Sequence, residues 1–331
     1  AAIAVLGVNV WSENRYGTLI QGADGNLERI VEYCDATDEE KSLTICNSGM
    51  MSIDAHVLFD LVDAIGNDNT KGEFYLTDIV TIARSRGLGV AVLEIDDHDD
   101  TIGADDRADL ARFEAVMQRR LRDRAMAEGC SMAAPDTVFL TWDTVIGRDV
   151  TIEPHVVIGP GVSIGDGTVV KAFSHLENCT VGRDSRIGPY ARLRPGAAIG
   201  DRAHIGNFVE IKNATIEEGA KANHLSYIGD ARVGAGANIG AGTITCNYDG
   251  YFKHHTDIGQ GAFIGSNTAL VAPVKVGDGA IVGAGSTVTH DVEAHALSVE
   301  RSEQVTRQGL ARSIHERKAA AKAAKKQEQK G

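Results

Sequence analysis

A repeat with a period of six residues covers most of the chain and constrains its fold more than any other feature. Aliphatic residues recur at this spacing between residues 140 and 288, with occasional slips, and Gly often follows, as in IGPGVS, IGDGTV and IGAGTI. A helix would place every sixth residue on a different face, and a simple hairpin would need alternation with longer turns. The period instead predicts a parallel coil of short strands, in which three hexads close each turn and the aliphatic residues stack inside.

The corners and interruptions of this coil carry further information. We expect Gly, Asp and Asn at the corners, because a positive φ costs little there. Only 5% of the residues are aromatic, as a narrow interior requires. The largest interruption is TCNYDGYFKHHTD, residues 245–257, where the frame is lost between Ile239 and Ile258. We expect this polar segment to leave the coil as a loop and to carry function.

The sequence outside the repeat predicts the domain organisation. Residues 1–105 mix strand-like and helix-like runs and predict a partial α/β domain. Apolar residues at helical spacing predict a linker helix over 106–130, followed by the coil over 131–300. Residues 301–331 form a basic, Ala-rich tail, which is typical of a solvated helix or a frayed end. The first residue is not Met, and we interpret the chain as a truncation of a longer protein.

Charge and cysteine content narrow the class of ligand. The formal net charge of −13 argues against general binding to nucleic acid or to an anionic membrane, and it favours small-molecule substrates. The five cysteines are scattered without a CxxC pair, which is typical of reduced thiols and predicts a cytoplasmic protein. No apolar run has the length needed to span a bilayer.

Longer motifs resemble one enzyme family. The segment RLRPGAAIGDRAHIGNFVEIKNATIEEGAKANHLSYIGDARVGAGANIGAGTITCNYDG resembles the acetyltransferase domain of the bacterial bifunctional N-acetylglucosamine-1-phosphate uridyltransferase/glucosamine-1-phosphate N-acetyltransferases. YGTL, IVEYCDATDEE, CNSGMM and KGEFYLTDIV resemble the second half of the uridyltransferase domain. The resemblance implies a left-handed parallel β-helix and a homotrimer with sites between neighbouring subunits. It also implies acetyl transfer from acetyl-CoA to glucosamine-1-phosphate, within UDP-N-acetylglucosamine biosynthesis.

The acetyl transfer requires a base and fixed cations. A sugar amine is mostly protonated near neutral pH, so a base with a pKa near the working pH must remove its proton. The resemblance implies that His224 is this base, although a lone histidine in a repeat protein is commonly structural. The substrate phosphate requires guanidinium or ammonium groups. By resemblance, the sugar-phosphate contacts are Arg194, Lys212, Tyr227 and Asn238, and the acetyl-CoA contacts are Ala241, Asn247, Tyr248, Ser266, Ala284 and Arg301.

The uridyltransferase half is matched only in part. By resemblance, Gly17, Glu32 and Asn47 contact the uridine-linked sugar, and Asp105 in GADDR stands where the family has an Asn ligand for Mg²⁺. A carboxylate could still bind Mg²⁺. The family's Gly-rich nucleotide loop and its magnesium-binding Asp precede the matched region. We therefore expect this chain alone not to make UDP-N-acetylglucosamine from UTP, because a half-site cannot preorganise its ligand.

Three other interpretations remain at this point. A zinc protein similar to the γ-class carbonic anhydrases would need three converging histidines, and His224 has no partner at a suitable nearby spacing. A non-enzymatic scaffold predicts regular coils without inserted polar loops. Another hexapeptide-repeat acyltransferase would fit the period, but it would not account for RLRPGA, NFVEIK and TCNYDG together.

Overall fold

The chain folds into two compact units, Ala1–Met117 and Gln118–Gly331. The computed structural model describes residues 1–10, 16–95, 98–101, 103–104 and 106–328. Asp105 lies outside the described residues. The division falls inside a long helix, Arg107–Ala127, rather than at residue 105, and the predicted domain boundaries remain a prediction.

The first unit is a mixed five-stranded sheet with helices packed against it. The strands lie in the order Leu27–Val31, Thr18–Gln21, Ile45–Ile53, Ile3–Asn9 and Val90–Ile95. Ile3–Asn9 pairs antiparallel with Ile45–Ile53 and parallel with Val90–Ile95. Its core comprises apolar residues of the sheet and of the helices, among them Ile3, Val5 and Ile79. The elements are β1 Ile3–Asn9, β2 Thr18–Gln21, β3 Leu27–Val31, α1 Asp38–Lys41, β4 Ile45–Ile53, α2 Ala55–Val62, α3 Ile79–Ser85 and β5 Val90–Ile95, with 3₁₀ turns at Leu76–Asp78 and His98–Asp100.

Helix α4, Arg107–Ala127, packs its last turns against the start of the coil. Leu121 and Ala125 are buried in the coil core. The side chain of Gln118 is 6% exposed and pairs with the main chain of Leu140. Its Nε2 donates to the Leu140 carbonyl at 2.7 Å, and its Oε1 accepts from the Leu140 N–H at 2.9 Å. The helix therefore supplies hydrogen-bond partners for main-chain groups in the first turn of the coil.

The second unit is the left-handed parallel β-helix that the hexads predict, which confirms the fold class. Strands stack in parallel on three sides; Val169, for example, pairs with Thr151 and with Arg186, the equivalent residues of the adjacent turns. Two strands, Glu210–Ile216 and Tyr227–Val233, run around a corner and belong to two sides.

The strands of each side are as follows. The first side contains Ser131–Met132, Thr151–Ile152, Val169–Val170, Arg186–Ile187, His204–Asn207, Lys221–His224, Asn238–Ile239, Phe263–Ile264, Ile281–Val282 and Leu297–Ser298. The second side contains Val157–Ile158, His175–Leu176, Arg192–Leu193, Ile244–Cys246, Ala269–Val271 and Thr287–Val288, besides the two strands that turn the corner. The third contains Val145–Ile146, Ser163–Ile164, Thr180–Val181, Ala197–Ile199, Thr256–Ile258 and Val274–Val276, besides the same two.

The corners differ in part from the prediction. Gly and Asn occupy many positive-φ positions, as expected, but Phe173, Tyr190 and Phe208 also have φ values of 55° to 60°. These rings and that of His155 stack on the outside of one corner, with centroids 4.9 to 5.1 Å apart. Stacking between successive turns offsets the cost of the left-handed backbone. The interior has no room for rings, but the corner does.

The bounds of the inserted loop are also narrower than predicted. Thr245 is 1% exposed and occupies the inward position where an aliphatic residue was expected, so the frame continues past Ile239. Its hydroxyl accepts from the Gly229 N–H at 2.8 Å and donates to the Gly229 carbonyl at 3.1 Å, which satisfies it inside the coil. The segment that leaves the coil is 247–255. Beyond the coil, α5 spans Leu310–Glu328, and its described side chains are exposed except for Ile314, which is partly buried.

Candidate functional site

His224 lies on the surface of the coil, in a column of residues that runs along one corner. It is exposed at the end of its strand, and its Nδ1 lies 2.6 Å from Oδ1 of Asn207, the register partner one turn earlier. The register places Ala241 in the next turn, followed by Ser266 and Ala284. We call Asn207, His224, Ala241, Ser266 and Ala284 the histidine column.

Main-chain N–H groups in this column are unpaired. Among the described residues, the N–H groups of Ala241, Ser266 and Ala284 have no hydrogen-bond acceptor. At another corner, carboxylates of the adjacent turn satisfy the equivalent groups: the N–H groups of Arg148 and Arg183 donate to Asp166 and Asp201 at 2.8 Å. The histidine column has small side chains where that corner has Asp. It therefore presents a row of free donors.

The remaining residues of the predicted acetyl-CoA set lie close to this column or in the loop. Arg301 donates from Nη1 to the carbonyl oxygen of Ala284 at 2.8 Å, so its guanidinium is held at the far end of the column. Asn238 lies on the same side of the coil, in register with Lys221 and Phe263. Asn247 and Tyr248 begin the loop, and Tyr248 is 61% exposed.

The predicted sugar-phosphate cations lie on the second side. Arg194 donates to Oε1 of Glu210 at 2.7 Å, and this contact raises the pKa of the guanidinium. Nε of Arg194 is buried without an acceptor in the described part of the chain. The Lys253 side chain beside Lys212, with Arg194 nearby, lowers the pKa of the Lys212 ammonium. Crowded cations and an orphaned N–H donor fit an anionic ligand.

Tyr227 connects the two groups along the chain. It follows His224 by three residues and starts the strand on the second side, in register with Glu210 and Ile244. Its side chain folds over Gly229, where an added Cβ would collide with the Tyr227 hydroxyl. A larger residue at this position would have to displace the Tyr227 ring. The structure thus brings the predicted residues onto consecutive sides of the coil, with His224 and the backbone donors on one and Arg194 and Lys212 on the next.

Sequence reasoning missed three residues that the geometry adds. Asn207 contacts His224, Lys253 joins the cations from the loop, and Asp249 organises the loop. The Asp249 carboxylate accepts from the N–H groups of Phe252 and Tyr251 and pairs with His254, which lowers its pKa to about 2. A signal for Asn207 was available, because it precedes His224 by one turn of the coil.

In the first unit, the three predicted sugar contacts lie close together. The Asn47 N–H donates to the Gly17 carbonyl at 2.7 Å. A Cβ added to Gly17 would lie 3.5 Å from Oε2 of Glu32, whose other oxygen accepts from the Thr77 hydroxyl at 3.0 Å. The predicted Mg²⁺ ligand, Asp105, lies outside the described residues. Within the described ranges, no three His, Cys, Asp or Glu side chains group as metal ligands would.

Comparison with known proteins identifies the family. The family model for bacterial transferase hexapeptide (six repeats) matches residues 143–178, 178–213 and 255–290. The bifunctional protein GlmU of Paramagnetospirillum magneticum is 55% identical over 324 residues, which cover 98% of this chain and 72% of that protein. GlmU of Bradyrhizobium diazoefficiens is 57% identical over 318 residues, 96% of this chain and 70% of that protein. The chain belongs to the GlmU family.

GlmU membership confirms the family that the motifs predicted, and with it a hexapeptide-repeat acyltransferase. It does not favour the zinc-protein or scaffold interpretations. Among solved structures, LpxA from Acinetobacter baumannii matches this chain with a TM-score of 0.44 and 20% sequence identity. The match covers 51% of this chain and 71% of the LpxA chain. This likeness is too weak to inform function. No helix in the described part of this GlmU-family chain has the length and apolar character needed to cross a bilayer.

Proposed function

We propose that this chain transfers the acetyl group of acetyl-CoA to the amine of glucosamine-1-phosphate, giving N-acetylglucosamine-1-phosphate and free CoA. The observation that carries the proposal is the histidine column: an exposed imidazole in register with unpaired main-chain donors. Membership of the GlmU family supports the same reaction.

His224 is proposed as the general base. The amide oxygen of Asn207 can only accept, so Nδ1 of His224 carries the proton and donates to it. Nε2 is then left with a free lone pair, which can accept a proton from the substrate ammonium. The resulting amine attacks the thioester carbonyl carbon and the C–N bond forms. As the tetrahedral intermediate collapses, the nitrogen releases its surplus proton to solvent water, the C–S bond breaks, and the proton held by His224 passes to the CoA sulfur.

Two sets of groups stabilise charge in this scheme. The N–H group of Ala241, one turn from His224, is placed to donate to the oxyanion that forms at the thioester carbon. On the adjacent side, Arg194, Lys212 and Lys253 bind the substrate phosphate, and Tyr227 and Asn238 orient the sugar. Arg301, at the far end of the column, pairs with the phosphates of acetyl-CoA.

Replacing His224 tests this mechanism. We expect His224→Ala to lower kcat about 10²- to 10⁴-fold, which is the usual contribution of a general base, while the fold is retained. Release of CoA thiol from acetyl-CoA in the presence of glucosamine-1-phosphate measures the rate. His175→Ala is the matched control, because His175 is also exposed on a coil strand but lies outside the column. Equal turnover in the two variants would remove His224 from the reaction.

The oligomer is part of the proposal. We propose a homotrimer in which a neighbouring copy completes the groove beside the histidine column, as the family resemblance implies. Light scattering should give a mass three times that of the 35.1 kDa chain. A protein that has the mass of a single chain and full turnover would show that no neighbouring copy is needed.

A further inference from the structure

Asp230 is a buried carboxylate at the corner where the second side ends. Asp230 is 8% exposed, and each of its carboxylate oxygens accepts a hydrogen bond from a side-chain amide. Asn213, in the preceding turn, donates to Oδ1 at 2.6 Å, and Asn247, in the following turn, donates to Oδ2 at 2.5 Å. The three residues occupy one corner of successive turns, so Asp230 joins two neighbours through its two oxygens.

The carboxylate is ionised despite its burial. Burial acts to raise the pKa of Asp230, but the amides of Asn213 and Asn247 and the charges of Lys253 and Lys212 leave that pKa below its ordinary value. A buried charge is tolerated when hydrogen bonds and opposite charges compensate it. Asp230 therefore places a fixed negative charge beside the two lysines of the proposed phosphate site.

Asp230 is also hydrogen-bonded to the residue at which the inserted loop starts. Asn247 is the first residue of the loop and is 8% exposed, and its side chain is bound to Asp230. The main-chain carbonyl of the same residue accepts from the His254 N–H at 2.8 Å, close to the end of the loop. The Asp230 side chain, which lies outside the loop, thus binds Asn247, and Asn247 in turn contacts His254 near the other end of the loop.

We propose that Asp230 is a positioning residue for acetyl transfer: through Asn247 it fixes the loop so that Asn247 and Tyr248 face acetyl-CoA. This inference rests on the proposed function. Asp230 acts through Asn247 and needs no contact with substrate. Asn247 places its amide beside Gly229, where an added Cβ would come within 2.9 Å of Nδ2, so the position has little freedom once the carboxylate holds it.

The test is Asp230→Asn, which keeps the shape of the side chain and tolerates the φ of 48°. An amide offers one acceptor oxygen in place of two, so one neighbouring amide loses its acceptor. We expect the KM for acetyl-CoA to rise about tenfold and kcat to change less. The KM for glucosamine-1-phosphate should not rise, since a negative charge near the phosphate has been removed. Hydrogen–deuterium exchange of residues 247–255 should become faster.

Two control variants separate positioning from general structure. Asn213→Ala removes the other hydrogen bond to Asp230 and leaves the loop contact, so exchange in the loop should stay close to that of the original chain. Asp184→Asn changes an exposed carboxylate that also has a positive φ, 54°, and should alter neither KM nor exchange. An increase in both KM values by the same factor in Asp230→Asn would contradict the proposal.

Hydrogen–deuterium exchange tests the role of Asp230 independently of the proposed acetyl transfer. If the original chain does not release CoA with glucosamine-1-phosphate, the proposed function fails, while exchange still reports whether Asp230 holds the loop. If Asp230→Asn does not fold, Asn247→Ala removes the same hydrogen bond from the loop side and must accelerate exchange at 247–255. Exchange equal to that of the original chain in Asn247→Ala would overturn the proposal.

Discussion

Single side chains in the second unit act mainly by changing the charge or the hydrogen bonding of a neighbour. The Asn207 amide oxygen lies 2.6 Å from Nδ1 of His224. The neighbouring Lys253 lowers the pKa of the Lys212 ammonium. The histidine column lacks the Asp residues that satisfy main-chain N–H groups at another corner. A few substitutions at equivalent positions thus separate a corner with free N–H donors from one whose N–H groups are paired, within the described residues.

The Lys212–Lys253 contact leads to a prediction about pH. Because the pKa of Lys212 is lowered, this lysine loses its positive charge at a lower pH than an ordinary lysine, and the KM for glucosamine-1-phosphate should rise as the pH increases through the alkaline range. Lys253→Met should raise the KM at neutral pH, because one cation is lost, and should move the alkaline rise to higher pH. Steady-state kinetics from pH 7 upward measure both effects. Lys275→Met, an exposed lysine on the third side, should leave the profile in place; an identical shift in that control would contradict the assignment.

Helix α4 shows how an element can close a repeat structure. A parallel coil exposes unpaired main-chain groups at its first turn, and such edges invite association with other chains. Gln118 meets this need at Leu140 by presenting a side-chain amide that pairs with the main chain as a neighbouring strand would. Arg122, 7% exposed, adds contacts to the Val138 carbonyl and to Asp136.

Removing this amide should destabilise the start of the coil. Gln118→Leu leaves the N–H and the carbonyl of Leu140 without that partner, and each unsatisfied buried group costs about 1–3 kcal/mol. We expect a lower free energy of unfolding, measured in urea, and more association, measured by light scattering. Gln118→Glu retains an acceptor for the Leu140 N–H but no donor for the carbonyl, so its loss should be substantial as well. Stability equal to the original in Gln118→Leu would show that the pairing is dispensable.

At the scale of the whole coil, stability comes from contacts between adjacent turns. Each turn buries inward residues on all three sides, and central ones such as Ile187 and Ile205 are 0% exposed. A repeat structure of this kind gains stability from each interface between neighbours, so an interior defect weakens two interfaces and a terminal defect weakens one.

Cavities at different heights in the coil test this additivity. Ile187→Ala should cost about 2–5 kcal/mol, because a central turn cannot collapse around the space. Val288→Ala, in the last strand of the second side, should cost clearly less, because it removes fewer atoms and has a neighbouring strand on one side only. Urea unfolding followed by circular dichroism compares them; equal losses would contradict stacking between neighbouring turns.

The inward pattern was predictable from sequence because one rule, an aliphatic residue every sixth position, recurs in every turn. The same search missed Thr245, since a hydroxyl can fill an inward position when Gly229 satisfies it. The stacked rings and the contacts of Asp230 join residues in adjacent turns, which lie 17 or 18 positions apart in the sequence. The six-residue period does not show which of these residues are neighbours. The N–H groups of the histidine column are free because no carboxylate lies beside them in the adjacent turn, within the described residues. This could not be predicted without knowing the register between turns.

The register of the histidine column also has a metric consequence. His224 and Ala284 are separated by three steps between adjacent strands, about 14 Å at the usual strand spacing. The guanidinium of Arg301 is held at Ala284. If His224 and Arg301 have the proposed roles, the distance between the thioester site and the phosphate site is a whole number of strand separations. A relative with one turn more or fewer in this interval would be suited to an acyl carrier of correspondingly different length.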